Sequence, residues 1–490
     1  AYPDKKWWAV SYVQNPDPMV ESRFTLKVPE DISWRWATPG YKDMEPERDE
    51  VNGQQIAKWV VKQSPALPQE AAGPGMLTQM KRLEVSNFKD WPEVRRWFEK
   101  GFEAQVQTDG AILTQVQSLV KAGEPAEDTL IAIGGWANKR RFLATSLDDF
   151  RPNPANLLVN EEALTPLDAG VLLTSMYRAA GLTVQPVLAF EAPPDELKSA
   201  LARFTRVDYL LLKVSDGTST WWVDPRRPME FDAFPPSGFQ GGSALLGTSE
   251  EQPFESLALS EADKNRVVTQ IDARLDEKGR LELRFNTTEH GASGAVFREA
   301  SRELMDSGKD ERDQKLQSLF DRIAAGYGQG ARELENYFTM EPKQGEPIDF
   351  AATVAVPNYA LRMGDKMALI LPVRLNAQLV GLAQEEKPRT QPIRLDHPWR
   401  EECKLRLKIP SGTQVSQLPP TVQIDSPYGS YFATARVEGK DVFYYSRLVM
   451  NAAWVPQNEA AELTKFARQV FDARGKLLLE KPGSTPAEKG

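Results

Sequence analysis

One cysteine, Cys403, and two histidines, His290 and His397, are the only thiol and imidazole groups in 490 residues. This scarcity rules out an intrachain disulfide, a Cys/His zinc cluster and any Ser-His or Cys-His site not built on those three positions. Cys403 sits near His397 in the alternating stretch CKLRLKI. A thiol in a strand lacks the helix dipole that lowers a cysteine pKa, so a small core residue is expected there rather than a nucleophile. His290, in TEHGASG, reads as a solvated turn histidine. The acidic pairs Asp148/Asp149 and Glu161/Glu162 have the residue types of a glycosidase's two carboxylates, although charged surface loops account for them more simply. GFQGG at 238–242 lacks both the Lys-Ser/Thr of a phosphate-binding loop and the strand-to-helix setting of a dinucleotide site, so it reads as a linker. No metal and no cofactor is expected.

Twelve tryptophans form a second class of candidate. In the pairs Trp7-Trp8 and Trp221-Trp222, strand alternation sends one ring inward and leaves the other to reach the surface. An exposed row would suit sugar rings or a partner protein, while core and inter-domain anchoring is the simpler reading. Arg226-Arg227 beside Asp224 has the chemistry to hold a carboxylate or phosphate, and a solvated charge pair is again the plainer account.

The elements that must position these residues follow from composition and periodicity. The chain is 41% apolar and carries 60 Lys+Arg against 69 Asp+Glu, a net charge of −9 with no block of one sign. At about 150 residues per domain the length fits about three domains, and the charge argues against nucleic acid. No apolar run approaches the 18 or so residues of a membrane-spanning helix. Aromatic and β-branched runs (Trp7–Val13, Phe24–Val28, Ile56–Val61, Leu77–Val85) predict a β-rich domain over 1–86. Helical spacing of Trp91, Val94, Trp97, Phe98 and Phe102 begins an α+β block over 87–245. In that block further helices fall at 109–121, 125–137 and 166–180. A proline-rich loop spans 149–160, a strand 183–190, and a hairpin 208–215 with 220–224. The rest, 246–480, reads as β-rich with a helical insertion at about 295–335 and a last helix at about 458–473. A flexible tail over 481–490 follows.

The order of the middle block, with a helix opening near 165, then a strand and a hairpin ending in Asp224-Pro225, resembles the bacterial transglutaminase-like family of papain-like fold. Its closest likeness is to exported members whose catalytic domain lies between two β-rich domains of unknown function. YVQNPDPMVESRFTLKVP looks like the later part of the leading domain and PIRLDHPWREECKLRLKIPSGTQVSQLPP like the trailing one. Active relatives carry Gly-Asp-Cys-Lys-Asp before a helix with a Leu-Leu pair and an Ala-Gly end. The matching stretch here is Leu164-Thr165-Pro166-Leu167-Asp168, then Leu172-Leu173 and Ala180-Gly181. The nucleophile position is therefore Pro166. The family's Phe-Asn-His-Ala run falls on Val207-Asp208-Tyr209-Leu210, which makes the base position Tyr209, and the orienting aspartate of its Asp-Pro-Thr run is matched by Asp224.

The residues have their own logic beside that likeness. Thr165-Pro166-Leu167-Asp168 is a capping-box-like helix opening, and a tyrosine with a pKa of about 10 is a poor base near neutrality. The expectation is an α+β multidomain chain with a papain-like domain between two β-sandwich-like domains. Its function is that of a catalytically inactive scaffold or binding module of the bacterial cell envelope, periplasmic or extracellular, with its signal segment upstream of Ala1. A groove of Pro166, Asp168, Tyr209, Trp221, Trp222, Asp224 and Arg226 would hold an extended peptide segment, and the partners would be proteins of an envelope assembly. The alternatives are a peptide- or glycan-processing hydrolase or transferase using other residues, and a polysaccharide-binding protein using exposed tryptophans.

Overall fold

The computed structural model describes residues 5–41, 44–143, 150, 152–204 and 209–481. Contacts divide the chain into two compact units: Ala1–Leu259 with Gln391–Asp396, and Ser260–Thr390 with His397–Gly490. Residues 1–86 and 87–245, read separately from the sequence, thus share one unit. Both units are β-rich mixtures of helix and strand.

Unit 1 opens with β1 Trp8–Tyr12, β2 Met19–Pro29, β3 Arg35–Ala37, β4 Glu47–Val51, β5 Gln54–Ser64, the helical turn α1 Met76–Gln79 and β6 Arg82–Ser86. The strands make two antiparallel sheets, β1-β6-β3 and β2-β5-β4. Between β4 and β5, Asn52 and Gly53 both take positive φ, 51° and 74°, as a two-residue hairpin turn that matches strand twist requires. Alternation turns Leu26, Val28, Ala57 and Trp59 against Leu83 and Val85, with Trp34 and Trp36 packed on the cluster.

The run Leu77–Val85, expected as one strand, starts instead as the turn α1. Arg82 explains this, because its Nη1 donates to the carbonyls of Leu77, Thr78 and Met80 at 3.4, 2.8 and 3.0 Å and satisfies acceptors that a helix end leaves open. The same guanidinium donates through Nε to Glu84 Oε1 at 2.6 Å, and Arg203 Nη2 reaches that oxygen at 2.7 Å. All three side chains are buried.

The helical layer follows as α2 Trp91–Glu103, α3 Gly110–Leu119 and α4 Ala126–Ala137. On α2 the Asp90 carboxylate caps Glu93 N at 2.7 Å, and Trp91, Val94, Trp97, Phe98 and Phe102 are all buried, as their spacing predicts. Short strands β7 Arg141–Phe142 and β8 Ala163–Leu164 pair in parallel around α5 Ala155–Leu158, one turn of helix inside the predicted proline-rich loop. Then come α6 Pro166–Ala179, β9 Thr183–Phe190, α7 Pro194–Leu197, β10 Tyr209–Ser215, β11 Thr220–Asp224, β12 Arg227–Asp232, β13 Ser243–Leu245 and β14 Phe254–Ser256. These strands form one antiparallel sheet in the order β12-β11-β10-β9-β13-β14. Every residue of α6 from Pro166 to Tyr177 is buried. Gly170 allows its close approach to β10, since a Cβ there would overlap Leu210 Cδ2.

Unit 2 is built on an eight-stranded sheet. In spatial order its strands are Arg332–Phe338, Ile348–Val356, Leu281–Glu289, Arg266–Leu275, Trp399–Lys408, Asp441–Met450, Gly429–Glu438 and Val422–Ser426. The CKLRLKI alternation is realised there: Cys403, Leu405, Leu407 and Ile409 are buried while Lys404, Arg406 and Lys408 are exposed. Helices Ala295–Asp306 and Lys309–Ala325 fill most of the predicted insertion. Its end, Arg332–Phe338, is an edge strand whose pairing with Ile348–Val356 overrides its helix-favouring Glu and Leu. The last helix is Ala460–Asp472, and Lys476–Glu480 follows it as a strand between Lys366–Ile370 and Gln414–Gln417, where no strand was predicted. Of the predicted tail, 482–490 lies outside the described residues. Among the described residues no helix is long and apolar enough to cross a membrane.

Candidate functional site

The start of α6 is a closed hydrogen-bonded cap. Thr165 Oγ1 accepts from Asp168 N at 3.1 Å and donates to Asp168 Oδ2 at 2.8 Å. Asp168 Oδ1 accepts from Asn153 N at 2.9 Å and Asn153 Nδ2 at 3.2 Å, so both oxygens of this buried carboxylate are engaged. Pro166 occupies the first helical position, where a missing N–H costs nothing and the fixed φ suits the helix. The positive end of the helix is thereby matched by an acidic side chain rather than offered to a thiol.

Across the sheet, Tyr209 opens β10 and Asp224 closes β11. The Tyr209 hydroxyl donates to Asp224 Oδ2 at 2.8 Å, and Asp224 Oδ1 accepts from Arg226 N at 2.9 Å. The Arg226 guanidinium lies 3.4 Å from the centre of the Tyr209 ring, with Nε 3.7 Å from Asp224 Oδ1. Phe239 also packs on the Tyr209 ring, with the two centroids 4.7 Å apart. Tyr209 packs on a buried cluster of Val187, Ala189, Leu211, Trp222 and Phe239. This arrangement has a committed hydroxyl proton, a twice-bonded carboxylate and a fixed cation. The partner of the carboxylate is a phenol and not an imidazole, and the arrangement can bind or brace.

The expected groove residues resolve into two sets. Strand alternation puts Leu210 on the face toward Gly170 of α6 and Tyr209 on the opposite face, with Trp222 and Asp224. Pro166 and Asp168 belong to the cap of α6. Trp221, opposite Val214, lies on the α6 side of the sheet and is half-buried, whereas Trp222 is buried. Of the twelve tryptophans five are buried and seven are half-buried, among them Trp7, Trp8 and Trp221.

The other candidates fall elsewhere. Cys403 is buried in mid-strand, where burial pushes its thiol up to about 12 and the Glu401 carboxylate adds to the rise. That places it far from thiolate chemistry. His397 Nε2 lies 3.1 Å from Ser293 Oγ, and His290 Nε2 lies 3.2 Å from Arg266 Nη2. Burial, and next the Arg266 charge, lower the His290 pKa, so the ring is neutral and structural. Glu161 and Glu162 are exposed, and Asp148/Asp149 lie outside the described residues. No group of three or more His, Cys, Asp or Glu side chains suited to a metal ion occurs among the described residues. Sequence reasoning missed Asn153 and Phe239. The first bears no local signal, and the second lay in GFQGG, where attention to glycines hid the aromatic.

Comparison with known proteins adds fold information. A family profile described as "Domain of Unknown Function with solved-structure structure (DUF3858)" matches residues 366–479. No curated protein matches the chain. A crystal structure at 2.00 Å resolution of a protein from Parabacteroides distasonis ATCC 8503, described as a "putative protease", superposes with a TM-score of 0.60 at 13% identity. The alignment covers 97% of this chain and 75% of that one. The fold of this chain is accordingly similar to that of the solved structure, and the profile match falls on residues 366–479 alone.

Proposed function

We propose that this protein is a catalytically inactive member of the transglutaminase-like group, whose middle block serves as a binding or structural scaffold of the bacterial cell envelope. The observation that carries the reading is the Tyr209–Asp224 hydrogen bond. At the position where the resembled family keeps an imidazole, a phenol instead donates its proton to the retained aspartate. Pro166 supports the same reading, since the residue at the expected nucleophile position has no side-chain functional group and completes a helix cap. The envelope location rests on the resemblance.

The test is turnover of glutamine-amide and peptide substrates by the full chain. No turnover is expected. Activity that Tyr209→Phe or Asp224→Asn abolishes would refute the proposal.

A second reading, hydrolysis by residues elsewhere, is favoured by one contact, Ser293 Oγ to His397 Nε2 at 3.1 Å, and by the protease description of the structural neighbour. Against it, the Ser293 hydroxyl also donates to the carbonyl of Asn265 at 3.1 Å, which directs its proton away from the imidazole. Labelling by a serine-directed fluorophosphonate that is lost in Ser293→Ala and in His397→Gln would establish it.

A further inference from the structure

The strands at the start of unit 1 enclose a cavity of about 10 Å³, room for one water molecule. Phe24, Val61 and Leu83 give it an apolar wall, and Trp59 forms part of that wall. Trp59 lies directly opposite Phe24 in the β2–β5 pair and is 3% exposed. Its Nε1 is buried and has no hydrogen-bond partner among the described residues. An indole N–H can only donate, and a donor left unmet in apolar surroundings is costly.

Two hydroxyls of the same wall are also unspent. Ser22 precedes Phe24 by two residues on β2, so alternation turns it to the inner face that carries Phe24, Leu26 and Val28. Thr38 follows directly on β3, a strand of the other sheet. Among the described residues neither hydroxyl is engaged in a hydrogen bond. The other polar side chains of the wall are taken: the Tyr41 hydroxyl lies 3.4 Å from Ser64 Oγ, and the Arg82 guanidinium holds the α1 carbonyls and Glu84.

We propose that one water molecule is bound in this cavity as a fixed part of unit 1, accepting from Trp59 Nε1 and donating to Ser22 Oγ and Thr38 Oγ1. Three bonds is the usual complement of a buried water, and here they use both of its protons and one lone pair. The volume excludes a larger ligand, and an ammonium ion, which has no acceptor, would leave the indole N–H unmet. The water joins the two sheets, because Ser22 and Trp59 belong to β2-β5-β4 while Thr38 leads out of β1-β6-β3. It thereby satisfies a donor that the chain places in an aromatic core without supplying a partner for it. The site is independent of whether the middle block is catalytic.

The experiment is nuclear magnetic resonance on the full chain with isotope-labelled tryptophan, in which the indole signal missing from Trp59→Phe identifies Trp59. In the parent chain the Trp59 indole proton should show a direct cross-peak to a long-lived water. Ser22→Ala combined with Thr38→Val removes two of the three partners and nearly keeps the shape of the wall. In that variant the cross-peak should be lost and the Trp59 indole proton should shift upfield as its hydrogen bond goes, with the remaining indole signals unmoved. Absence of the cross-peak in the parent, or its persistence at full strength in the double variant, would overturn the proposal. A crystal structure of the parent decides the matter without any substitution: density for one water within hydrogen-bond distance of Trp59 Nε1, Ser22 Oγ and Thr38 Oγ1 is expected, and a dry cavity would overturn it.

Discussion

Glu84 is the sharpest point at which to test the physics of unit 1. Its Oε1 receives Arg82 Nε at 2.6 Å and Arg203 Nη2 at 2.7 Å, and the three side chains are 1%, 4% and 3% exposed. Replacing Glu84 with Gln keeps shape and a carbonyl oxygen but removes the anion that the two buried guanidinium groups share. Arg82 has no route to water, because its Nη1 is held by three carbonyls at the end of α1. Removing one partner of a buried ion pair costs about 3–5 kcal/mol, since the remaining charge is desolvated and uncompensated. At about 2–4 °C per kcal/mol for a unit of this size, calorimetry should show the unit 1 transition falling by about 6–20 °C.

A double-mutant cycle with Arg203→Met supplies the control. In that background Glu84→Gln exposes one unpaired charge rather than two, so its cost should shrink by about 0.5–3 kcal/mol of coupling. A loss below about 1 kcal/mol for the single substitution, or strict additivity in the cycle, would refute the claim that Glu84 acts by neutralising both arginines.

The remaining expectations concern packing and titration. Gly170→Ala, which would place a methyl group against the fully buried Leu210, should lose about 1–3 kcal/mol in urea unfolding despite its better helix propensity; a gain in stability would show that α6 and β10 have room to separate. Tyr209→Phe removes a donor from the buried Asp224 and should destabilise by about 1–3 kcal/mol, whereas a neutral result would mean that water replaces the hydroxyl. In unit 2, burial lifts Glu289 to about 8, with the Glu401 carboxylate as the next cause, and burial lifts Glu401 to about 7. Both exceed the ordinary 4.5, so the folded state keeps protons that the unfolded chain releases. Their contribution is complete below about pH 4.5 and is lost as pH rises through 7 and 8, so the urea midpoint should fall across that window and flatten in Glu289→Gln; a level profile in the parent chain would contradict it.

Much of the architecture was legible where one period dominated. The 3.6-residue spacing of Trp91, Val94, Trp97, Phe98 and Phe102 located α2, and the alternation from Cys403 to Ile409 located a sheet with one wet face. Elements set by distant partners were not legible. Arg332–Phe338 is rich in helix formers and becomes a strand only because Ile348–Val356 offers an edge, and Lys476–Glu480 pairs with residues more than sixty positions upstream. At the candidate site, Tyr209 and Asp224 were singled out by the family resemblance, and their hydrogen bond is what the structure adds. The α6 cap could be read from Thr165 to Asp168, while the contribution of Asn153 depended on how the intervening loop folds back. The opposite facing of Pro166 and Tyr209 follows from α6 lying on the Leu210 side of the sheet, a tertiary choice that no local pattern encodes.

If the chain is the inactive relative proposed above, Asp224 offers a physical reason for part of a catalytic pattern to outlast the rest. A buried carboxylate must have its oxygens satisfied whatever its history, because leaving one unpaired costs more than the net worth of the bond. Here Oδ1 takes the Arg226 N–H and so fixes the turn that leads from β11 to β12, while Oδ2 takes the Tyr209 hydroxyl. Removing the aspartate would take the acceptor from that hydroxyl and loosen the turn, a duty in stability that does not depend on catalysis. The nucleophile position has no such second duty, and a proline there improves the helix start. On the inactive reading, Tyr209→His would keep a donor to Asp224 without recovering chemistry. Pro166→Cys would also be needed, the Thr165–Asp168–Asn153 cap would have to loosen for a thiolate to use the helix end, and Phe239 would still be packed beside position 209.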